Sequence, residues 1–68
     1  MTLHEAWKVV DDYLPFLTVA EIYDEDPEFA SALNAMFPGF EYPDFSHLTV
    51  EQVMKKFYRE VGKEVNPQ

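Results

Sequence analysis

The chain has no cysteine and only two histidines among its 68 residues. Without a thiol there is no disulfide framework and no thiolate nucleophile, so stability must come from packing. Two histidines alone cannot assemble a four-ligand Cys/His zinc site. Cations are also scarce, with five Lys and Arg against thirteen Asp and Glu and a formal net charge of −8. Because nucleic-acid affinity comes mainly from neutralising phosphates, direct binding to DNA or RNA is not expected. No apolar run approaches the roughly 18 to 20 residues of a membrane span, and no signal peptide is read at the start. The expectation is a cytoplasmic domain with no membrane segment.

What is abundant is apolar and aromatic surface. The sequence is 47% hydrophobic and 16% aromatic, with six Phe, four Tyr and one Trp, too apolar for a disordered acidic tail. Chains near 60 residues bury only about 60% of their unfolded surface, so the core must be dense. Aromatic side chains, each able to bury about 150 to 250 Å², are the natural means.

A helix-start device occurs three times. Thr2-Leu3-His4-Glu5, Thr18-Val19-Ala20-Glu21 and Thr49-Val50-Glu51-Gln52 all read T-x-x-E/Q, the capping box, in which the Thr side chain and the N3 side chain each satisfy a backbone amide. Leu17 with Ile22, and Leu48 with Val53, add hydrophobic staples to the second and third. Asp26-Pro27-Glu28 is a fourth start, with an Asp cap and Pro at the first helical position. Four starts leave little room for strands.

The predicted fold is all-α: a compact small bundle of three main helices plus one short helix, with an aromatic Pro/Gly loop packed over it. Leu3, Trp7, Val10 and Leu14, flanked by Ala6 and Tyr13, mark the inner face of the first helix, which Pro15 ends near Tyr13 or Leu14. A short helix runs from Val19 to about Asp24. The third follows Pro27, buries Phe29, Ala30, Leu33, Met36 and Phe37, and stops at Pro38-Gly39. The last runs from Val50 to about Val61, burying Val50, Val53, Met54, Phe57 and Val61, with Gly62 as its cap. Residues 1–62 form the single domain and 63–68 a flexible C-terminal tail. LTVAEI at 17–22 and LTVEQV at 48–53 nearly repeat; a solenoid needs a third unit, so the repeat reads as one capping solution used twice.

The segment from Pro38 to His47 holds two prolines and a glycine, which exclude a regular helix, together with Phe40, Tyr42 and Phe45. Loops are normally polar. Its aromatics therefore either fold back as a lid, the expectation for Phe40 and Phe45, or face outward as a binding patch, with Tyr42 open to either. Residues 1–54 carry eleven acids against Lys8 alone, a balance of −10, whereas 55–68 balance at +2. Asp24, Glu25, Asp26 and Glu28 cluster at a helix start, where the dipole favours negative charge. Glu51–Lys55 and Lys56–Glu60 are spaced to pair along the last helix.

Catalysis is poorly supported. The two serines, Ser31 and Ser46, lie in no nucleophile elbow, and Ser46 beside His47 in sequence is not the geometry a base needs. Carboxylate pairs such as Asp11-Asp12 lack a cleft to separate their pKa values. No helical metal motif contains His4 or His47, and DEDPE lacks the alternating ligands and Gly turn of a calcium loop. No catalytic residue, cofactor or metal is assigned, and the chain is not expected to be an enzyme.

Residues 17–40 followed by 48–53 resemble a small helical domain of uncertain function, found alone and at the N-terminus of di-iron iron–sulfur cluster repair proteins. The matching positions are Thr18, Val19, Ile22, Pro27, Glu28, Gly39, Phe40, Thr49 and Val50. The repair proteins carry cysteines after the Gly-Phe where this chain has none, so the resemblance implies a helical fold and a protein-docking role, without redox or metal chemistry.

The functional expectation is a non-catalytic, acidic protein-interaction module or inhibitor that occupies a partner protein's surface. Phe40, Tyr42 and Phe45 are the candidate anchors, with Asp24, Glu25, Asp26 and Glu28 guiding approach. Two alternatives stand beside it. One is an acidic nucleic-acid mimic that blocks a nucleic-acid-binding protein. The other is a self-associating structural domain, a homo-oligomer in which the acidic first half of one copy meets the basic last helix of another.

Overall fold

A computed structural model describes residues 1–65, with side chains through Gly62. Five helices follow in order: α1 (Leu3–Asp11), α2 (Val19–Tyr23), α3 (Pro27–Met36), α4 (Tyr42–Phe45) and α5 (Val50–Val65). The fold is all-α, with three longer helices and two short ones. The expected tail lies partly outside the described residues (66–68), while residues 63–65 continue α5. Gly62 does not cap that helix, because α5 continues through it and among the described residues only Gly39 takes a positive φ; a single exposed Gly inside a helix costs only about 0.5–1 kcal/mol.

All three capping boxes form as expected. At Thr2, Thr18 and Thr49 the hydroxyl accepts from the N3 amide at 3.1, 3.3 and 3.2 Å, and the Glu5, Glu21 or Gln52 side chain accepts from the cap amide. Asp26 caps α3 by accepting from the Glu28 amide at 3.0 Å.

The two LTV segments do more than cap their own helices: they cap each other. Thr18 and Thr49 form an antiparallel bridge. The Val19 amide donates to the Leu48 carbonyl at 2.9 Å, and the Val50 amide to the Leu17 carbonyl at 2.7 Å. One residue on, Ala20 donates to the Ser46 carbonyl at 3.2 Å and Glu51 to the Pro15 carbonyl at 3.0 Å. A helix start normally leaves four amides without intrahelical partners. Here the cap amide and the N3 amide are met by the capping box, and the N1 and N2 amides by the opposite segment. Both helix starts are therefore fully satisfied, and the repeated sequence corresponds to a reciprocal contact.

The core joins all five helices. Phe29, Leu33, Val10, Val19 and Val53 are its largest fully buried side chains, and α1 packs chiefly on α3. The α1 face differs from the expected one. Ala6 and Val10 are fully buried, while Leu3 and Leu14 are 49% and 55% exposed. The helix ends at Asp11, so Leu14 falls in the following turn, where helical periodicity no longer places it. On α3 it is Ala32 that is fully buried, with Ala30 half-buried.

After α3 the chain reverses through Phe37-Pro38-Gly39-Phe40. The Phe40 amide donates to the Phe37 carbonyl at 2.9 Å with Gly39 at φ +77°, the pattern of a turn that needs Gly at its third position. The segment expected to be loop then holds the single-turn helix α4. Pro43 does not prevent it, because in a helix's first turn the missing amide has no intrahelical acceptor to lose.

Candidate interaction surfaces

The aromatic loop and the acidic segment meet at Tyr23. Its ring lies 4.6 Å from that of Tyr42 and 6.0 Å, nearly parallel, from that of Phe40. Phe40 in turn packs on Phe45 at 4.7 Å. Phe45 is only 6% exposed and also meets Phe37 at 4.8 Å. Phe45 thus belongs to the core as the lid, while Phe40, Tyr42 and Tyr23 are half-buried and keep part of each ring at the surface.

Exposed carboxylates adjoin these rings along the chain. Asp24 and Glu25 follow Tyr23, Glu41 separates Phe40 from Tyr42, and Asp44 lies within α4; all four are exposed. Glu28 is exposed on the first turn of α3. Asp26 is different, being half-buried and engaged: it accepts from the Tyr13 hydroxyl and from the Glu28 amide. The Tyr13 hydrogen bond, seconded by backbone amides, holds its carboxyl below the ordinary 3.8. The same bond, with burial and the nearby charges of Asp26 and Glu28, pushes Tyr13 from 10 up to about 12. Asp26 therefore ties the turn after α1 to the start of α3 and serves the fold.

A second surface escaped the sequence patterns. Phe16 is 69% exposed and Leu14 55%, on either side of Pro15. The turn that carries them is pinned: Leu17 donates to the Leu14 carbonyl at 3.2 Å, and the Pro15 carbonyl accepts from Glu51. The signal was present in Pro15, which forces the preceding residue out of helical geometry and the apolar pattern out of register.

A third feature is an open cleft of about 530 Å³ lined by Leu3, Phe37, Phe40, Phe57 and Val61, with Lys56 and Glu60 also on its walls. Lys56 places its ammonium 5.6 Å from the Phe45 ring centroid, an attraction between cation and ring face. Of the two ion pairs expected on α5, Lys55–Glu51 forms at 3.5 Å.

Among the described residues no group of three or more His, Asp or Glu is placed to hold a metal ion, and no helix is long and apolar enough to cross a membrane. His4 lies against Trp7, with rings 6.3 Å apart and 15° from parallel, while His47 is exposed between α4 and α5 and Ser31 is exposed on α3. Compared with models of known protein families, with curated proteins and with solved structures, the chain has no significant match.

Proposed function

We propose that the protein is a non-catalytic interaction module of the cytoplasm that works by occupying a partner protein's surface. The observation that carries this reading is the partly exposed Tyr23–Phe40–Tyr42 cluster, adjoined along the chain by exposed Asp24, Glu25, Glu41 and Asp44. Aromatic anchors supply affinity where they enter a pocket, and surrounding charge governs approach and partner choice. The complementary surface is a basic one with an apolar recess. Phe45 supports the anchors from below and does not itself face the partner.

The test is affinity capture from lysate of the source organism, nuclease-treated and eluted in salt steps, with wild type beside Asp24→Asn/Glu25→Gln. Both side chains are exposed, so the fold should be kept. A protein retained by wild type and lost at lower salt by the variant supports the reading; equal retention contradicts it. The same exposed acids favour a second reading, in which they stand in for phosphates before a nucleic-acid-binding protein. Competition by DNA or RNA for the captured protein supports that version, and indifference to both removes it.

A further inference from the structure

We infer that the basic groups of the partner surface are arginines, one of which lays its guanidinium on the exposed part of the Tyr23–Phe40–Tyr42 cluster and donates to the carboxylates beside it. The inference deepens the proposed function and rests on it, naming the side chain that this face takes.

The rings turn their polar tips outward. Of the four tyrosines, Tyr13 and Tyr58 have hydroxyls bonded within the protein, to Asp26 and to Trp7. The hydroxyls of Tyr23 and Tyr42 have no such bond among the described residues, and neither is a buried polar atom left unsatisfied. Both therefore reach solvent, where each can accept from an N–H donor. Phe40 is shared with the wall of the cleft, but Tyr23 and Tyr42 are not.

The charge beside the rings is of one sign and unspent. Asp24, Glu25, Glu41 and Asp44 are exposed, and the ion pair found among the described residues, Lys55–Glu51, engages none of them. Residues 1–54, which build the whole face, carry eleven acids and a single cation, Lys8. An anionic group is repelled here and a cationic one attracted.

Ring chemistry narrows the cation. The same aromatic group already seats one: the Lys56 ammonium lies 5.6 Å from the Phe45 ring centroid, and Phe45 packs on Phe40 at 4.7 Å. The ring of Phe45 is thereby covered, whereas Tyr23, Phe40 and Tyr42 keep surface open. A lysine ammonium is a strongly hydrated point charge that carboxylates alone can satisfy. A guanidinium is planar and weakly hydrated; it lies flat on a ring and leaves its N–H edge for a carboxylate. Open rings with acids beside them thus favour arginine over lysine.

The test titrates the isotope-labelled full chain with acetylated hexa-arginine amide and with acetylated hexa-lysine amide, at low and high salt, followed by NMR and calorimetry. Hexa-arginine should bind more tightly, with Overhauser contacts from its side chains to the Tyr23 and Tyr42 rings, and both peptides should weaken as salt is added. Tyr42→Leu, which keeps apolar bulk, should cost hexa-arginine about two- to fivefold in affinity and hexa-lysine little. Phe16→Ala removes an exposed ring outside the face and should leave both affinities unchanged. Equal binding of the two peptides overturns the proposal, as does a preference that survives Tyr42→Leu in a still-helical protein, or contacts that fall on Phe16 instead. Where Tyr42→Leu unfolds the chain, the contacts in wild type decide alone. Asp24→Asn/Glu25→Gln separates this failure from that of the underlying reading. Weaker binding of both peptides with no arginine preference overturns the arginine and keeps the acidic face; unchanged binding of both overturns the face as well.

Discussion

Proline at the first position of a helix is normally harmless, because the amide it lacks has no intrahelical acceptor. Val19 should be an exception. Its amide donates to the Leu48 carbonyl at 2.9 Å as part of the reciprocal cap, and Thr18 before it is extended, at φ −88° and ψ 155°, a conformation proline accepts in its predecessor. Val19→Pro therefore removes one hydrogen bond, and its ring intrudes on the space between the segments, without straining its own helix. The control is Val19→Ala, which trims the fully buried side chain and keeps the amide. Trimming should cost roughly 2 kcal/mol by the usual cavity cost. Proline should cost a further ~0.5–1.5 kcal/mol, the net contribution of the hydrogen bond it removes. For 68 residues the whole stability is roughly 3–10 kcal/mol, so both losses are measurable by urea unfolding followed through Trp7 fluorescence and circular dichroism. An ordinary helix start gives the opposite order, with proline equal to or more stable than alanine. That order would refute the reciprocal cap as a source of stability.

Further outcomes follow from single positions. Gly39→Ala should destabilise by about 1–2 kcal/mol, the cost of a side chain in the left-handed region, although an added Cβ would meet nothing within 4 Å. Gly62→Ala, equally uncrowded, should stabilise by about 0.5–1 kcal/mol if α5 continues through it; destabilisation would restore Gly62 as a cap. The pH profile of stability should fall at both ends through one contact. Asp26 has a lowered pKa, so its contribution is present above 3.8 and is lost as pH drops through the folded value. Tyr13 is raised to about 12, so its contribution holds below 10 and is lost as pH rises from 10 toward 12. Tyr13→Phe should weaken both losses, and absorbance titration of wild type should show one tyrosine ionising late; an unchanged stability profile in Tyr13→Phe rejects the coupling.

Local chemistry was legible wherever the chain acts on its own neighbours. Thr2, Thr18 and Thr49 cap as their spacing indicates, Pro27 opens α3, and the apolar stripe of α5 is buried from Val50 to Phe57, with Val61 half-buried. Two of the failures, the paired LTV segments and the Tyr23–Phe40–Tyr42 cluster, come from contact between segments far apart in sequence. Leu14 looked internal because the periodicity of α1 was extended past Asp11. The repeated LTV read only as one capping solution used twice, because pairing between residues 31 apart leaves no mark in either copy. Phe40 and Tyr42 could not be assigned without Tyr23, the ring on α2 that gathers them beside the acids. Phe16 went unnoticed since an exposed aromatic is defined by what does not cover it.

The central claim is that the protein acts through the face built on Tyr23, Phe40 and Tyr42 with the acids beside them. Its most direct test is the dissociation constant of the captured partner for wild type and for Asp24→Asn/Glu25→Gln, each at low and high salt. The expected result is weaker binding by the variant at low salt and a difference that shrinks as salt screens the charges. Equal affinities at low salt would contradict the claim.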